Sequence, residues 1–129
     1  MDASPTPAMT VVLIVEDEPV IRLAAIFLIE DLGFRALEAS DADEAIFLLE
    51  AHPEITVVFT GIQMAGSMDG IELSNWAAER WPPLKFIIVS GGMSPRACEL
   101  PVDTVFLTKP YGSLAVENAI AGFLPTGAA

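Results

Sequence analysis

Three short runs constrain this chain more than anything else in it: Val11-Val12-Leu13-Ile14-Val15, Val57-Val58-Phe59-Thr60 and Phe86-Ile87-Ile88-Val89. Each is unbroken, rich in β-branched or aromatic residues, and too short for an independent helix. That is the pattern of strands buried on both faces of a parallel sheet. Such strands need a cover on each side, and the segments between them supply helices.

Pro19 suits the first turn of a helix that runs to about Leu32, where Gly33 supplies the stop. Arg35 to Ala39 is a short second strand. Asp41 caps a helix over Ala42 to about Ala51, with Glu44 at the capping-box position, and Asp69 with Glu72 repeats that signature before a helix ending at Arg80. Trp81-Pro82-Pro83 breaks the chain there. Ser94-Pro95 opens a fourth helix that Pro101 holds to barely two turns. Thr104 to Thr108 is the fifth strand, and Ser113 caps a last helix ending near Phe123. The expected fold is therefore α/β, five parallel strands alternating with five helices, the fourth short, joined by right-handed crossovers. Residues 10–124 form the domain, behind a disordered lead-in over 1–9 and ahead of a frayed end over 125–129.

In such a sheet the loops at the carboxyl ends of the strands hold the ligand. Here they carry Glu16, Asp17, Gly61, Ser90 and Lys109. The third strand stops abruptly at Gly61, where a carboxylate is the residue to expect.

Composition limits what this edge can bind. Eighteen acidic residues against six basic ones leave a formal charge of −12. Six scattered cations cannot form the basic stripe that nucleic acid requires, and an anionic membrane is disfavoured for the same reason. A basic protein surface fits better. One cysteine, Cys98, and one histidine, His52, exclude an internal disulfide and a structural zinc site. Cys98 reads as an inert thiol and His52 as the top of a helix. The most apolar window, Val20 to Ile29, contains Arg22 and is too short to span a bilayer. No signal-peptide pattern opens the sequence, so a soluble, cytoplasmic protein is expected.

Four motifs in order carry a resemblance: Leu13-Ile14-Val15-Glu16-Asp17-Glu18-Pro19, Gln63-Met64 with Met68-Asp69-Gly70, Val89-Ser90-Gly91, and Phe106 through Lys109-Pro110. Together, over about Thr10 to Phe123, the chain resembles the receiver domain of two-component response regulators. The resemblance implies a flavodoxin-like three-layer sandwich with strand order 2-1-3-4-5 and a stand-alone receiver. It implies a Mg²⁺ site at Glu16, Asp17 and the backbone carbonyl of Gln63, since that ion takes hard oxygens in an octahedron. It assigns Ser90 and Lys109 to the phosphoryl group, Ser90 and Phe106 to the switch, and the partners to a sensor histidine kinase or histidine phosphotransfer protein. A homodimer stays open.

By the same correspondence Gly61 stands at the phosphoacceptor position. A glycine supplies no nucleophile and no bridging oxygen, so Mg²⁺ binding is expected to be weakened and phosphorylation lost, leaving protein–protein binding as the function rather than enzymatic activity. Asp69 fits a helix cap and Thr60 points to the opposite side of the strand, so neither replaces an acceptor. The alternative is an ordinary Mg²⁺-dependent aspartyl-phosphate receiver in which Gly61 is a variant of the aspartate. A flavodoxin-like nucleotide or flavin binder is remote, because Glu16-Asp17-Glu18 would repel phosphate where a glycine-rich loop is needed. Lys109 reads equally as a structural partner of Asp17. Two further departures are Ala65, where the family usually has proline, and the short span from Gly92 to Asp103.

The first helix places Val20, Leu23, Ala24 and Phe27 on one side, expected to be buried. Ile26 and Ile29 fall near Arg22 on the other, expected to be exposed. The resemblance makes that second side, Ile26 and Ile29, a partner-docking patch.

Overall fold

A computed structural model describes residues 10–64, 66–91, 100–101 and 104–123. Its elements are β1 (Val11–Val15), α1 (Pro19–Asp31), β2 (Arg35–Ala39), α2 (Ala42–Ala51), β3 (Ile55–Gly61), α3 (Gly70–Arg80), β4 (Lys85–Ser90), β5 (Thr104–Thr108) and α4 (Ser113–Phe123). All pairings are parallel, in the order β2-β1-β3-β4-β5. This is the flavodoxin-like architecture expected. The short helix expected from Ser94, the lead-in over 1–9, the end over 125–129 and Ala65 all lie outside the described residues.

Alternation along the central strands divides the interior into two layers. Val11, Leu13, Val15 and Val58 face α2 and α3, packing on Ala45, Leu49, Leu73 and Ala77. Val12, Ile14, Val57 and Phe59 face α1 and α4, packing on Ala25, Ile29, Val116 and Ile120. Every residue of β1 is buried, which accounts for its unbroken apolar run.

At α2 and α3 the aspartate caps follow the sequence signals, whereas Ser113, expected to cap the last helix, lies inside α4 as its first residue. Asp69 accepts from the Glu72 amide and Glu72 accepts from the Asp69 amide, a complete capping box. At α2, Asp41 accepts from the Glu44 amide, but the Glu44 carboxylate reaches back to the amide and hydroxyl of Ser40 instead. Gly33 stops α1 with φ +93°, a conformation that favours glycine.

Helix α1 is turned the other way from the sequence expectation. Ile29 is fully buried, and Ile26 packs against the same core layer. The most exposed large apolar residues of α1 are Val20 (79%), Phe27 (61%) and Leu23 (50%). Nearly every side of this helix is apolar, so hydrophobicity alone does not select the inner face. Arg22 was the marker for solvent, yet its side chain folds in toward the sheet edge and is only 19% exposed. Ile29 is therefore a core residue and Ile26 is half-buried against the same layer, so the pair does not form the exposed face expected of it.

Candidate functional site

The acidic loop leaves β1 tied to β2. The Glu16 amide donates to the Ala39 carbonyl at 3.0 Å, and the Arg22 Nη1 donates to the Glu16 carbonyl at 2.9 Å. Arg22 Nε also donates to Glu38 Oε1 at 2.8 Å. The Glu16 carboxylate accepts from the Glu18 amide through Oε2 at 3.0 Å.

β3 delivers Gly61 to the same edge. Past it the chain folds back tightly: the Ile62 amide donates to the Val89 carbonyl at 3.2 Å and the Gly70 amide donates to the Ile62 carbonyl at 2.6 Å. Gly70 sits so close to the Gly61 carbonyl oxygen that a Cβ there would collide with it. This approach requires glycine at 70. Gly66 has φ +109°, and Ser67 Oγ donates to Asp43 Oδ1 at 2.8 Å, fastening the loop to the start of α2. Thr60 is fully buried. Its hydroxyl donates to the Gly61 carbonyl at 2.9 Å, away from the acidic loop.

Gly61 is different in kind from Gly70. A Cβ at position 61 would lie 3.5 Å from Glu16 Oε1 and 3.9 Å from the Val89 carbonyl oxygen, both ordinary contacts. The φ there is outside the left-handed region. Neither backbone conformation nor space demands glycine.

β4 and β5 complete the edge. The Lys109 amide donates to the Ser90 carbonyl at 2.8 Å, Ser90 is buried, and Lys109 is exposed. Glu16, Asp17, Gly61, Gln63, Ser90 and Lys109 all line one cavity of about 490 Å³. The residues that the sequence places at the carboxyl edge of the sheet lie together there. Phe106 is half-buried on β5 and does not line this cavity.

Burial pushes the Glu16 carboxyl above its ordinary value, and the neighbouring Asp17 adds to the rise. The Glu18 amide and the Lys109 ammonium oppose it. Tyr111 lies beneath, its ring edge-on to Phe59 with centroids 5.6 Å apart. Burial raises its phenol above the usual value, with the Glu16 charge second. Tyr111, Arg22 and Glu38 carried no motif signal. The alternation of β2 does place Glu38 with Ala36 on the α1 side, where a cation early in α1 can reach it.

Carboxylate and carbonyl oxygens make a donor set suited to a hard divalent cation. Among the described residues no three acidic, histidine or cysteine side chains converge to hold one. Glu16 and Asp17 after β1 and Gln63 after β3 line the cavity beside the space that a Cβ at 61 would enter.

The family model described as response regulator receiver domain matches residues 12–120. The "Sensor kinase CckA" of Brucella abortus is 34% identical over 104 residues, which are 78% of this chain and 11% of that much longer protein. The "Response regulator receiver protein CpdR" of the same organism is 28% identical over 117 residues, covering 88% of this chain and 95% of the relative. A crystal structure of a response regulator receiver protein from Pseudomonas putida superposes with a TM-score of 0.78 at 28% identity, over 89% of this chain and 98% of that one. Among the described residues no helix is long and apolar enough to cross a membrane.

Proposed function

The chain belongs to the response regulator receiver domain family, and we propose that within two-component signalling it acts by binding a partner, without being phosphorylated itself. Receiver domains work with histidine kinases or phosphotransfer proteins, and the nucleophile they bring is a carboxylate. In this reading Gly61 occupies the acceptor position. The observation that carries it is the cavity edge itself: β3 brings Gly61 within contact range of Glu16, and no side chain follows.

The neighbouring groups do not replace the nucleophile. Asp69 Oδ1 is engaged by the Glu72 amide at 2.8 Å. Thr60 is buried and turned to the other side of β3. Glu16 and Asp17, with the Gln63 carbonyl, are the residues that would hold Mg²⁺, which supplies positive charge toward phosphoryl oxygens when bound. With one anionic oxygen fewer, the loop holds it weakly. Ser90 and Lys109 keep the places that a phosphoryl group would meet.

Docking belongs to the exposed stripe of α1. Val20, Leu23 and Phe27 present a run of apolar surface beside Ile21, which itself lines the cavity. Isolated exposed apolar residues are normal, but a stripe along one helix marks a contact surface.

A second reading is favoured by the room at position 61: an ordinary Mg²⁺-dependent aspartyl-phosphate receiver in which Gly61 is a variant of the acceptor aspartate. Intact-mass measurement after incubation with Mg²⁺ and a small phosphodonor tests the proposal. No gain of a phosphoryl group is expected. A hydroxylamine-labile phosphoryl adduct on any carboxylate of the cavity would overturn it.

A further inference from the structure

The geometry points to Arg22 as the residue that positions the acidic loop for a divalent cation, an assignment that rests on the receiver reading of Glu16 and Asp17. Arg22 stands in α1, its amide bonded to the Glu18 carbonyl at 2.8 Å. From there its guanidinium reaches two other elements at once. Nη1 donates to the Glu16 carbonyl at 2.9 Å, and Nε donates to Glu38 Oε1 on β2 at 2.8 Å.

The Glu16 amide is already bonded to the Ala39 carbonyl, one residue beyond Glu38. Arg22 therefore fixes the other side of the same residue. Glu16 is held to the β2 end through its N–H directly and through its C=O by way of the guanidinium. The direction of its carboxylate, and of Asp17 after it, follows from that backbone setting.

Mg²⁺ accepts little departure from octahedral geometry. Where position 61 provides no side-chain oxygen, the cation depends more heavily on how Glu16 and Asp17 are set. Only a planar fork serves both anchors together; a lysine ammonium at 22 is a point charge without it. The competing role is a plain staple between α1 and β2, which would affect folding and leave the metal untouched.

Mn²⁺ binding to the full chain, followed by electron spin resonance of the free ion, separates these roles. It is measured for the parent and Gly61→Asp, each with and without Arg22→Ala, and for Arg22→Lys, Glu38→Gln and Arg80→Ala. Arg22→Ala is expected to weaken Mn²⁺ about 10-fold in both backgrounds, the lower end for residues that orient metal ligands. Arg22→Lys falls between it and the parent. Glu38→Gln, which keeps the side-chain shape, weakens binding in the same direction and covers the case where Arg22→Ala does not fold. Arg80→Ala breaks the Glu50 pair at the far end of α3 and lowers the unfolding midpoint without moving Mn²⁺ affinity. If Gly61→Asp binds Mn²⁺ equally well with arginine or alanine at 22, Arg22 is a staple and the assignment falls alone. If neither the parent nor Gly61→Asp binds Mn²⁺, the receiver reading of the acidic pair falls and takes this assignment with it.

Discussion

Gly61 and Glu16 face each other across a gap of one side chain: a Cβ on the first would stand 3.5 Å from Oε1 of the second. The strand ends there in ordinary backbone, so the glycine answers to no local need. A few residues on, Gly70 is the opposite case, pressed against the Gly61 carbonyl oxygen.

That contrast sets the first prediction. Gly61→Ala should stabilise the chain by roughly 0.4–1 kcal/mol, through the unfolded state. Gly70→Ala forces a backbone shift and should destabilise it by about 1–3 kcal/mol. Urea unfolding of both variants reads the signs; a destabilised Gly61→Ala would mean that the cavity wall does not tolerate a side chain.

The outward stripe of α1 gives the second. Leu23→Glu and Phe27→Glu should stay within about 0.5 kcal/mol of the parent while a kinase or phosphotransfer partner loses most of its affinity for them. Ile29→Ala should lose about 2–5 kcal/mol, because the side chain is fully buried. Unimpaired partner binding by the double variant Leu23→Glu, Phe27→Glu would remove α1 from the interface.

Glu16 gives the third. Its folded-state pKa lies above the unfolded value of 4.5. As pH rises from there the unfolded chain releases this proton first, so this group lowers stability progressively until the folded carboxyl also ionises. Below 4.5 both states are protonated and the contribution vanishes. Glu16→Gln should therefore gain on the parent across that window and keep the gain at pH 7. Thermal unfolding midpoints across pH check it; parallel curves for the two proteins would contradict it.

Tyr111 is the chain's single tyrosine, so an ultraviolet absorbance titration reads it alone. Its phenol should ionise above 10, and Glu16→Gln should bring the midpoint part of the way down, since the carboxylate charge is the second cause after burial. An unmoved midpoint would separate Tyr111 from the acidic loop.

Most of the framework was legible in the residues. Unbroken runs marked β1, β3 and β4, and Asp69 with Glu72 marked the start of α3, because these signals are local. Glu16, Asp17, Gly61, Ser90 and Lys109 could be placed at one edge because each ends or follows a strand and parallel strands end together. The face of α1 was not legible. Its side chains are apolar nearly all round, and Arg22, the residue that looked solvent-facing, is held by Glu38 on another element. The same long-range bond hid the support of the acidic loop. Tyr111 was visible only as a residue after Lys109-Pro110, and its edge-on contact with Phe59 depends on how β5 hands over to α4.

The central claim is that one side chain separates this cavity from a phosphorylatable one. Phosphoryl uptake from a small donor in Mg²⁺, measured by intact mass for the parent beside Gly61→Asp, tests it most directly. The account predicts no uptake by the parent and a single hydroxylamine-labile phosphoryl group on Gly61→Asp. Uptake by the parent, or none by a folded Gly61→Asp, would contradict it.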